Sequence, residues 1–147
     1  MKVSNEKAIQ QVQEYFHKMS EEKGGTFAGR IPLRVVDCCS EEQTMSFVAE
    51  IVPELENIWG AAHGGMLATI FDTCMGCTIR GLQMLPVVRT VTLNVSYLRP
   101  VPVNVDLHVR ARLLTAGKTL ATLELTAWIQ GEENLPTNLA TGTFYLR

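Results

Sequence analysis

The chain has 147 residues, a length typical of one domain whose single hydrophobic core needs no disulfide or metal to hold it. Apolar residues make up 46%, charged residues make up 19% and the net charge is −2, so a nucleic-acid-binding surface is not expected. The N-terminal stretch MKVSNEKAIQQVQEY has no apolar run, so no secretory signal is expected there. We expect one domain over residues 1–147.

The four cysteines form two close pairs, Cys38–Cys39 and Cys74–Cys77. Neither spacing is typical of an extracellular disulfide framework, which favours a reducing, cytoplasmic location. Neighbouring residues on a strand point to opposite faces, and a single CxxC inside an apolar helix is more typical of core packing than of metal binding. We expect no metal and no cofactor.

The first third of the chain predicts one helix and two strands. Ser4 or Asn5 can cap the helix, Gly24 and Gly25 end it, and its apolar residues have helical spacing: Ile9, Val12, Phe16 and Met19. A strand is predicted over residues 32–39. Alternating apolar side chains predict another over residues 44–52.

Residues 61–82, AAHGGMLATIFDTCMGCTIRGL, predict a second helix that starts near His63 and is apolar on nearly every side. Such a helix is expected to be buried on every side. Glycines, Asp72 and Arg80 interrupt the run, so a helix wrapped by protein is expected rather than a membrane span.

The second half of the chain predicts strands. Residues 91–97, 103–113 and 121–129 alternate apolar and polar side chains, and a less regular strand covers about residues 140–146. Strands with one apolar face and one polar face are typical of antiparallel sheets. We therefore predict an α+β domain in which a curved antiparallel sheet wraps around the second helix, with the N-terminal helix added to it. A free sheet face or edge is expected to contact another subunit.

Residues 57–72, NIWGAAHGGMLATIFD, carry the candidate chemistry. His63, Gly64 and Gly65 stand where a loop becomes a helix, and the first N–H groups of a helix lack intrahelical partners. Such an N–H group can stabilise an oxyanion on a carbonyl. Asp72 lies further along the same helix in apolar surroundings, where a carboxylate needs a partner or a function.

Gly64 and Asp72 cannot act on one carbonyl from a single helix. Eight helical residues span about 12 Å and turn the side chain by about 80°. A site that uses both groups must therefore combine Gly64 of one subunit with Asp72 of another, as two antiparallel helices across a two-fold axis allow. If both groups are catalytic, the function therefore requires a homodimer with two equivalent sites.

The pattern N-x5-H-G-G-x6-D, followed by TVTLNVSYLRP at residues 90–100, resembles the hotdog-fold acyl-CoA thioesterases of the phenylacetic-acid-degradation (PaaI-like) type. The resemblance covers roughly residue 32 to the C-terminus. It implies a hotdog fold and hydrolysis of an acyl-CoA or acyl-carrier thioester by a dimer, with a tetramer also expected.

The resemblance assigns the catalytic roles. Asp72 takes the place of the general base or nucleophile, and the sequence leaves both routes open. Gly64 takes the place of the carbonyl-polarising N–H, with Gly65 beside the substrate. Asn57 would hold the thioester or the attacking water, with His63 orienting Asn57. Thr90 would hold the water.

Coenzyme A brings several phosphate charges, which calls for local positive potential. Six basic residues and one acidic residue fall between Arg80 and Lys118, and we expect Arg89 and Lys118 to lie near the nucleotide. An apolar acyl tunnel or simple core packing would equally explain four large side chains: Trp59, Met66, Phe71 and Met75. Two other functions remain open, a hotdog dehydratase or hydratase and a non-catalytic acyl-thioester-binding protein.

Overall fold

A computed structural model of the chain describes residues 2–147. It contains α1 (Asn5–Lys23), α2 (Phe27–Arg30), a 3-10 turn (Pro53–Leu55) and α3 (Gly64–Gln83). The strands are β1 (Leu33–Cys39), β2 (Thr44–Glu50), β3 (Arg89–Tyr97), β4 (Asp106–Ala116), β5 (Leu120–Ile129) and β6 (Asn138–Tyr145).

The six strands form one antiparallel sheet in the order β1-β2-β4-β5-β6-β3. Alternate apolar side chains point to the face that α3 covers, and this layer is the core, with Phe47, Phe71 and Leu125 among its largest members. β3 and β1 are the sheet edges. Almost every residue of β3 is exposed, so this edge has no cover within the chain.

α1 begins where the sequence predicts, because Ser4 accepts a hydrogen bond from the Lys7 N–H and caps the helix. The helix packs across α3 and β1, with Ala8 and Val12 buried. At Gly81 the two helices approach so closely that a Cβ atom would lie 3.0 Å from the Ala8 carbonyl oxygen. A residue without a side chain is therefore needed at this crossing.

α3 has one buried side and one open side. Its buried residues are Leu67, Ile70, Phe71, Cys74, Met75, Cys77, Thr78, Ile79, Gly81 and Leu82. Gly65 is exposed, and Thr69, Asp72, Thr73 and Gly76 are only partly buried. The prediction that this helix is buried on every side is therefore wrong within one chain.

The architecture confirms the predicted α+β hotdog fold, a curved antiparallel sheet around a long central helix with an N-terminal helix beside it. The short α2 and the 3-10 turn were not predicted. β4 begins at Asp106, three residues later than the alternation suggests, because Asn104 adopts a left-handed turn with φ 64°. Within residues 2–147, no helix has the length and apolar character needed to cross a bilayer.

Candidate active site

The start of α3 presents an unpaired N–H group. The His63 side chain caps the helix, its Nδ1 accepting a 3.1 Å hydrogen bond from the Gly65 N–H. In a neutral ring the proton then lies on Nε2. The His63 carbonyl accepts from Met66 and Leu67, whereas the Gly64 N–H makes no hydrogen bond with any of residues 2–147. The Gly64 N–H is therefore available to a ligand.

Tyr97, which the sequence reasoning missed, fixes the position of Gly64. The Tyr97 hydroxyl donates a 2.7 Å hydrogen bond to the Gly64 carbonyl oxygen. A Cβ atom at Gly64 would stand 3.3 Å from the tyrosine ring, so the ring lies directly against the Gly64 backbone. Partial burial raises the pKa of Tyr97 above its usual value and keeps the hydroxyl a donor. The only sequence signal for this role is the position of Tyr97 at the end of a strand.

Asn57 shapes the loop in front of α3. Its Oδ1 accepts hydrogen bonds from the N–H groups of Trp59, at 2.8 Å, and Ala61, at 3.2 Å. The Asn57 N–H donates to the Ala61 carbonyl, and Gly60 takes the left-handed φ of 84° that this tight loop needs. With both Oδ1 lone pairs used, the Asn57 side chain has only its Nδ2–H₂ donors left.

Asp72 and Thr90 form a direct pair. The Thr90 hydroxyl donates a 2.6 Å hydrogen bond to Asp72 Oδ1, and the pair lies on the solvent side of the chain. The hydroxyl hydrogen is used in this bond, so Thr90 can only accept from a further partner. Asp72 Oδ2 likewise accepts. Together the two side chains offer two acceptors to a water molecule.

A β-bulge turns Thr90 towards Asp72. Strict alternation would place Thr90 on the outer face with Thr92 and Asn94, but the register shifts by one residue at Val91. Thr90 then pairs with the buried Phe144 and faces α3, whereas Val91 is 55% exposed. The prediction for Thr90 came from the family resemblance, since the alternation pattern contains no sign of the bulge.

Gly64 and Asp72 lie at opposite ends of β3. Gly64 contacts Tyr97 at one end, and Asp72 contacts Thr90 at the other. Seven strand residues span about 23 Å, and the eight helical residues between Gly64 and Asp72 span about 12 Å. One chain therefore holds two half-sites, the unpaired N–H and the paired acid, that cannot meet on one carbonyl.

Arg89 and Lys118 lie near each other at the Asp72 end. Arg89 and Leu120 both pair with Tyr145, and Lys118 is in the turn before Leu120. Arg89 also donates to the Arg147 carbonyl. Both basic residues are exposed and are far from Gly64 of the same chain.

The cysteines stay free thiols. Burial raises the pKa of Cys77 to about 12 and that of Cys38 to about 11, and it raises the pKa of Cys74 well above the usual range. Residues 2–147 contain no group of three or more His, Cys, Asp or Glu side chains placed to hold a metal ion.

The chain also matches a known protein family over the region that contains these groups. A family model described as the thioesterase superfamily matches residues 60–135, half of the chain, including α3 and β3. The chain belongs to the thioesterase superfamily. Within the family match lie Gly64, Asp72 and Thr90, whereas Asn57 falls just before it.

Curated thioesterases are similar over part of their length. Human acyl-coenzyme A thioesterase 13 is 36% identical over 76 residues, which are 49% of this chain and 51% of that protein. The chain spans between 51% and 57% of the length of the first curated relatives it matches.

Solved structures of other proteins share the fold of this chain. Zebrafish thioesterase superfamily member 2 superposes with a TM-score of 0.80 at 20% identity, covering 95% of this chain and 98% of that one. The Escherichia coli PaaI protein gives 0.76 at 16% identity, covering 95% and 96%. A Streptococcus mutans protein bound to acetyl-CoA gives 0.69 at 21% identity, covering 78% and 88%. These likenesses confirm the predicted PaaI-like fold.

Proposed function

We propose that this protein is an acyl-CoA thioesterase that acts as a homodimer and forms each site from both chains. One observation carries the proposal: a single α3 presents the unpaired Gly64 N–H and the Asp72–Thr90 pair too far apart to serve one carbonyl. Family membership supports the reaction type, and the acetyl-CoA held by the Streptococcus mutans relative supports the substrate class.

The free edge of the sheet supports the dimer. Antiparallel pairing of two β3 strands about a two-fold axis near Leu93, the middle of the strand, would continue the sheet across the interface. It would set the Thr90 end of one chain beside the Tyr97 end of the other. The partner's Asp72 would then approach Gly64, with the open sides of both α3 helices at the interface.

Hydrolysis follows from this arrangement. The thioester carbonyl oxygen accepts from the Gly64 N–H, with Asn57 Nδ2 as a further donor, and these bonds stabilise the oxyanion. Water donates one hydrogen to Thr90 Oγ1 and loses the other to Asp72 as its oxygen bonds to the carbonyl carbon. The C–S bond then breaks, and the thiolate of coenzyme A takes the proton from Asp72. His63 holds the Gly65 N–H and so fixes the start of α3.

A second route uses Asp72 as a nucleophile. Its oxygen attacks the carbonyl, the thiolate leaves, and water hydrolyses the resulting anhydride. A single turnover in H₂¹⁸O can reveal the second route. Label in Asp72 would show that an anhydride formed and that water attacked the carboxyl carbon of Asp72, whereas the direct route puts the label in the released acid alone.

The remaining features are consistent with this assignment. Arg89 and Lys118 of the Asp72-bearing chain are proposed to meet the phosphates of coenzyme A. Residues 1–147 are proposed to form one domain, because α1 and α3 both pack against one continuous sheet. The four free thiols support a cytoplasmic location, and the polar outer face of the sheet is the proposed surface for tetramer formation.

The test is release of free thiol from acyl-CoA esters, followed with a disulfide reagent, on protein whose mass in solution is measured in parallel. The proposal expects catalytic thiol release by a dimer or tetramer. Stoichiometric ligand binding without thiol release would instead support a binding protein. Hydration of an enoyl-CoA without thioester cleavage would support a hydratase.

A further inference from the structure

Two large apolar side chains stand almost fully in solvent beside the unpaired N–H group. Ile58 is 89% exposed and Trp59 is 84% exposed. Phe71 and Met75, which the sequence grouped with Trp59, are both 0% exposed and belong to the core. Core packing therefore explains those two residues and does not explain Trp59.

The loop that carries Ile58 and Trp59 is held rigidly. Asn57 Oδ1 binds two of its N–H groups, the Gly60 N–H donates to the Asn57 carbonyl, and short β-bridges join Glu56 to Ala62 and Ala61 to Pro102. Because the backbone of the loop is held in one conformation, less ordering is needed when Trp59 contacts a ligand at Gly64. The same asparagine thus ties the position of Trp59 to the candidate oxyanion site.

Two clefts of different character meet at Gly64. The Trp59 cleft, about 630 Å³, is lined by Glu56, Ile58, Trp59 and His63 besides Asn57 and Gly64. The Arg99 cleft, about 300 Å³, contains Tyr97, Leu98, Arg99 and Pro100, and also reaches Asn57 and Gly64. The first cleft carries an acid and apolar side chains, whereas the charged residue of the second is an arginine.

This difference orients a thioester at Gly64. The coenzyme A side of the substrate is a polar arm ending in phosphates, which the Glu56 carboxylate repels and Arg99 attracts. The acyl side is apolar and gains free energy by removing Ile58 and Trp59 from water. A carbonyl bound at Gly64 therefore leaves the acyl group in the Trp59 cleft.

We propose that Ile58 and Trp59 bind the acyl group and make the protein selective for aryl or medium-to-long alkyl thioesters over acetyl thioesters. This inference rests on the proposed function. It assigns selectivity to the loop before α3, and it makes Trp59 the residue whose contact with substrate is largest.

The kinetic test uses octanoyl-CoA, phenylacetyl-CoA and acetyl-CoA with Trp59→Ala. The ratio of kcat/KM for each apolar ester to that for acetyl-CoA is expected to fall about 10-fold or more, mainly through KM. Trp59→Phe keeps an aromatic face and is expected to retain most of the ratio. Val36→Ala removes a 45% exposed side chain at the opposite sheet edge and is the control that leaves the ratio unchanged.

Tryptophan fluorescence tests directly whether a ligand contacts Trp59. The other tryptophan, Trp128, is 7% exposed, and a Trp128→Phe variant leaves Trp59 as the sole indole. S-octyl-CoA, which cannot be hydrolysed, is expected to shift the emission of Trp59 to shorter wavelength, whereas free coenzyme A leaves it unchanged.

The outcomes separate the two proposals. Wild-type protein that cleaves none of the esters overturns the proposed function. Wild-type protein that cleaves them, with an unchanged selectivity ratio in Trp59→Ala and no emission shift with S-octyl-CoA, overturns the acyl-group assignment alone. A change confined to dimer dissociation in Trp59→Ala would place this loop at the subunit interface and also overturns that assignment.

Discussion

The hydroxyl of Thr90 donates a 2.6 Å hydrogen bond to the carboxylate of Asp72, joining the edge strand of the sheet to the open side of its central helix. The pair depends on the bulge at Val91, which turns Thr90 inward. A bulge beside an active site commonly serves to aim a side chain in this way. The pair leaves two oxygen acceptors towards solvent, the arrangement needed to bind and deprotonate a water molecule.

Replacing Asp72 by Asn is expected to lower kcat about 10²- to 10⁴-fold, because the amide oxygen cannot accept a proton from water. The Thr90 hydroxyl can still donate to that oxygen, so the fold and the dimer are expected to persist. Steady-state thiol release and sedimentation measure both. Asp37→Asn, at an exposed carboxylate on β1, is the matched control with wild-type kcat. Wild-type turnover by Asp72→Asn would remove the acid from the mechanism.

Thr90→Val keeps the branched shape of the side chain but removes its hydroxyl, and about a 10- to 100-fold loss of kcat is expected, since a hydrogen bond to a charged group is worth about 1.5–3 kcal/mol. Thr90→Ser restores the hydroxyl and is expected to recover most of the rate. Thr92→Val makes the same change on the outer face and should have no effect. Equal kcat for the Val and Ser variants at position 90 would contradict the role of the hydroxyl.

The sequence is sufficient to predict those parts of the fold in which apolar side chains recur with helical or strand periodicity. The capped α1, the alternating strands and α3 were predicted from local patterns, as was the His63–Gly64–Gly65 helix start. Local patterns contain no information about which side of a helix the rest of the chain leaves uncovered, so the open side of α3 at Asp72 was missed. The contact of Tyr97 with Gly64 joins residues 33 positions apart, and no local spacing reports it.

The bulge in β3 is another feature that the sequence pattern does not predict. It inserts one residue into β3 without any glycine or proline to signal it, and alternation then places Thr90 on the wrong face. The family resemblance selected Thr90 because it compares positions rather than periods, and the structure places the Thr90 hydroxyl next to Asp72. The alternation pattern also gives no sign of the left-handed turn at Asn104, after which β4 begins.

The thiols are expected to react very unequally. Burial raises the pKa of Cys38 to about 11 and of Cys77 to about 12, so thiolate is scarce at pH 8, and Cys74 is raised as well. Native protein should react with an aromatic disulfide reagent mainly at Cys39, and denatured protein at all four cysteines. Rapid reaction at Cys74 or Cys77 in the native state would contradict the burial of this side of α3.

The raised pKa values of the buried thiols also predict how the free energy of unfolding changes at alkaline pH. Thiols of the unfolded chain have a pKa of about 8.5, whereas the buried thiols of the folded chain keep their protons to higher pH. The folded state therefore binds more protons between these two pKa values. The free energy of unfolding should fall as pH rises above the pKa of the unfolded thiols. Cys77→Ala should flatten the slope measured by urea unfolding between pH 8 and pH 10.

Gly64 offers a matched pair of substitutions. Alanine and proline both add a Cβ atom beside the Tyr97 ring, but only proline removes the N–H. The first helical position accepts proline, and His63, with φ −63° and ψ 131°, already has the extended backbone that a residue before proline needs. Gly64→Pro is expected to have kcat about 10²- to 10³-fold below that of Gly64→Ala. Equal rates would show that this N–H does not stabilise the oxyanion.

Mixing two inactive proteins tests the shared site most directly. Gly64→Pro and Asp72→Asn each disable every site in their own homodimer, but a hybrid dimer regains one site that has both an intact Gly64 and an intact Asp72. After subunits exchange at equal concentrations, activity should rise to about a quarter of the wild-type value, since half of the dimers are hybrids with one working site of two. Activity that stays at the level of the separate variants, with hybrids shown to form, would contradict a site built from two chains.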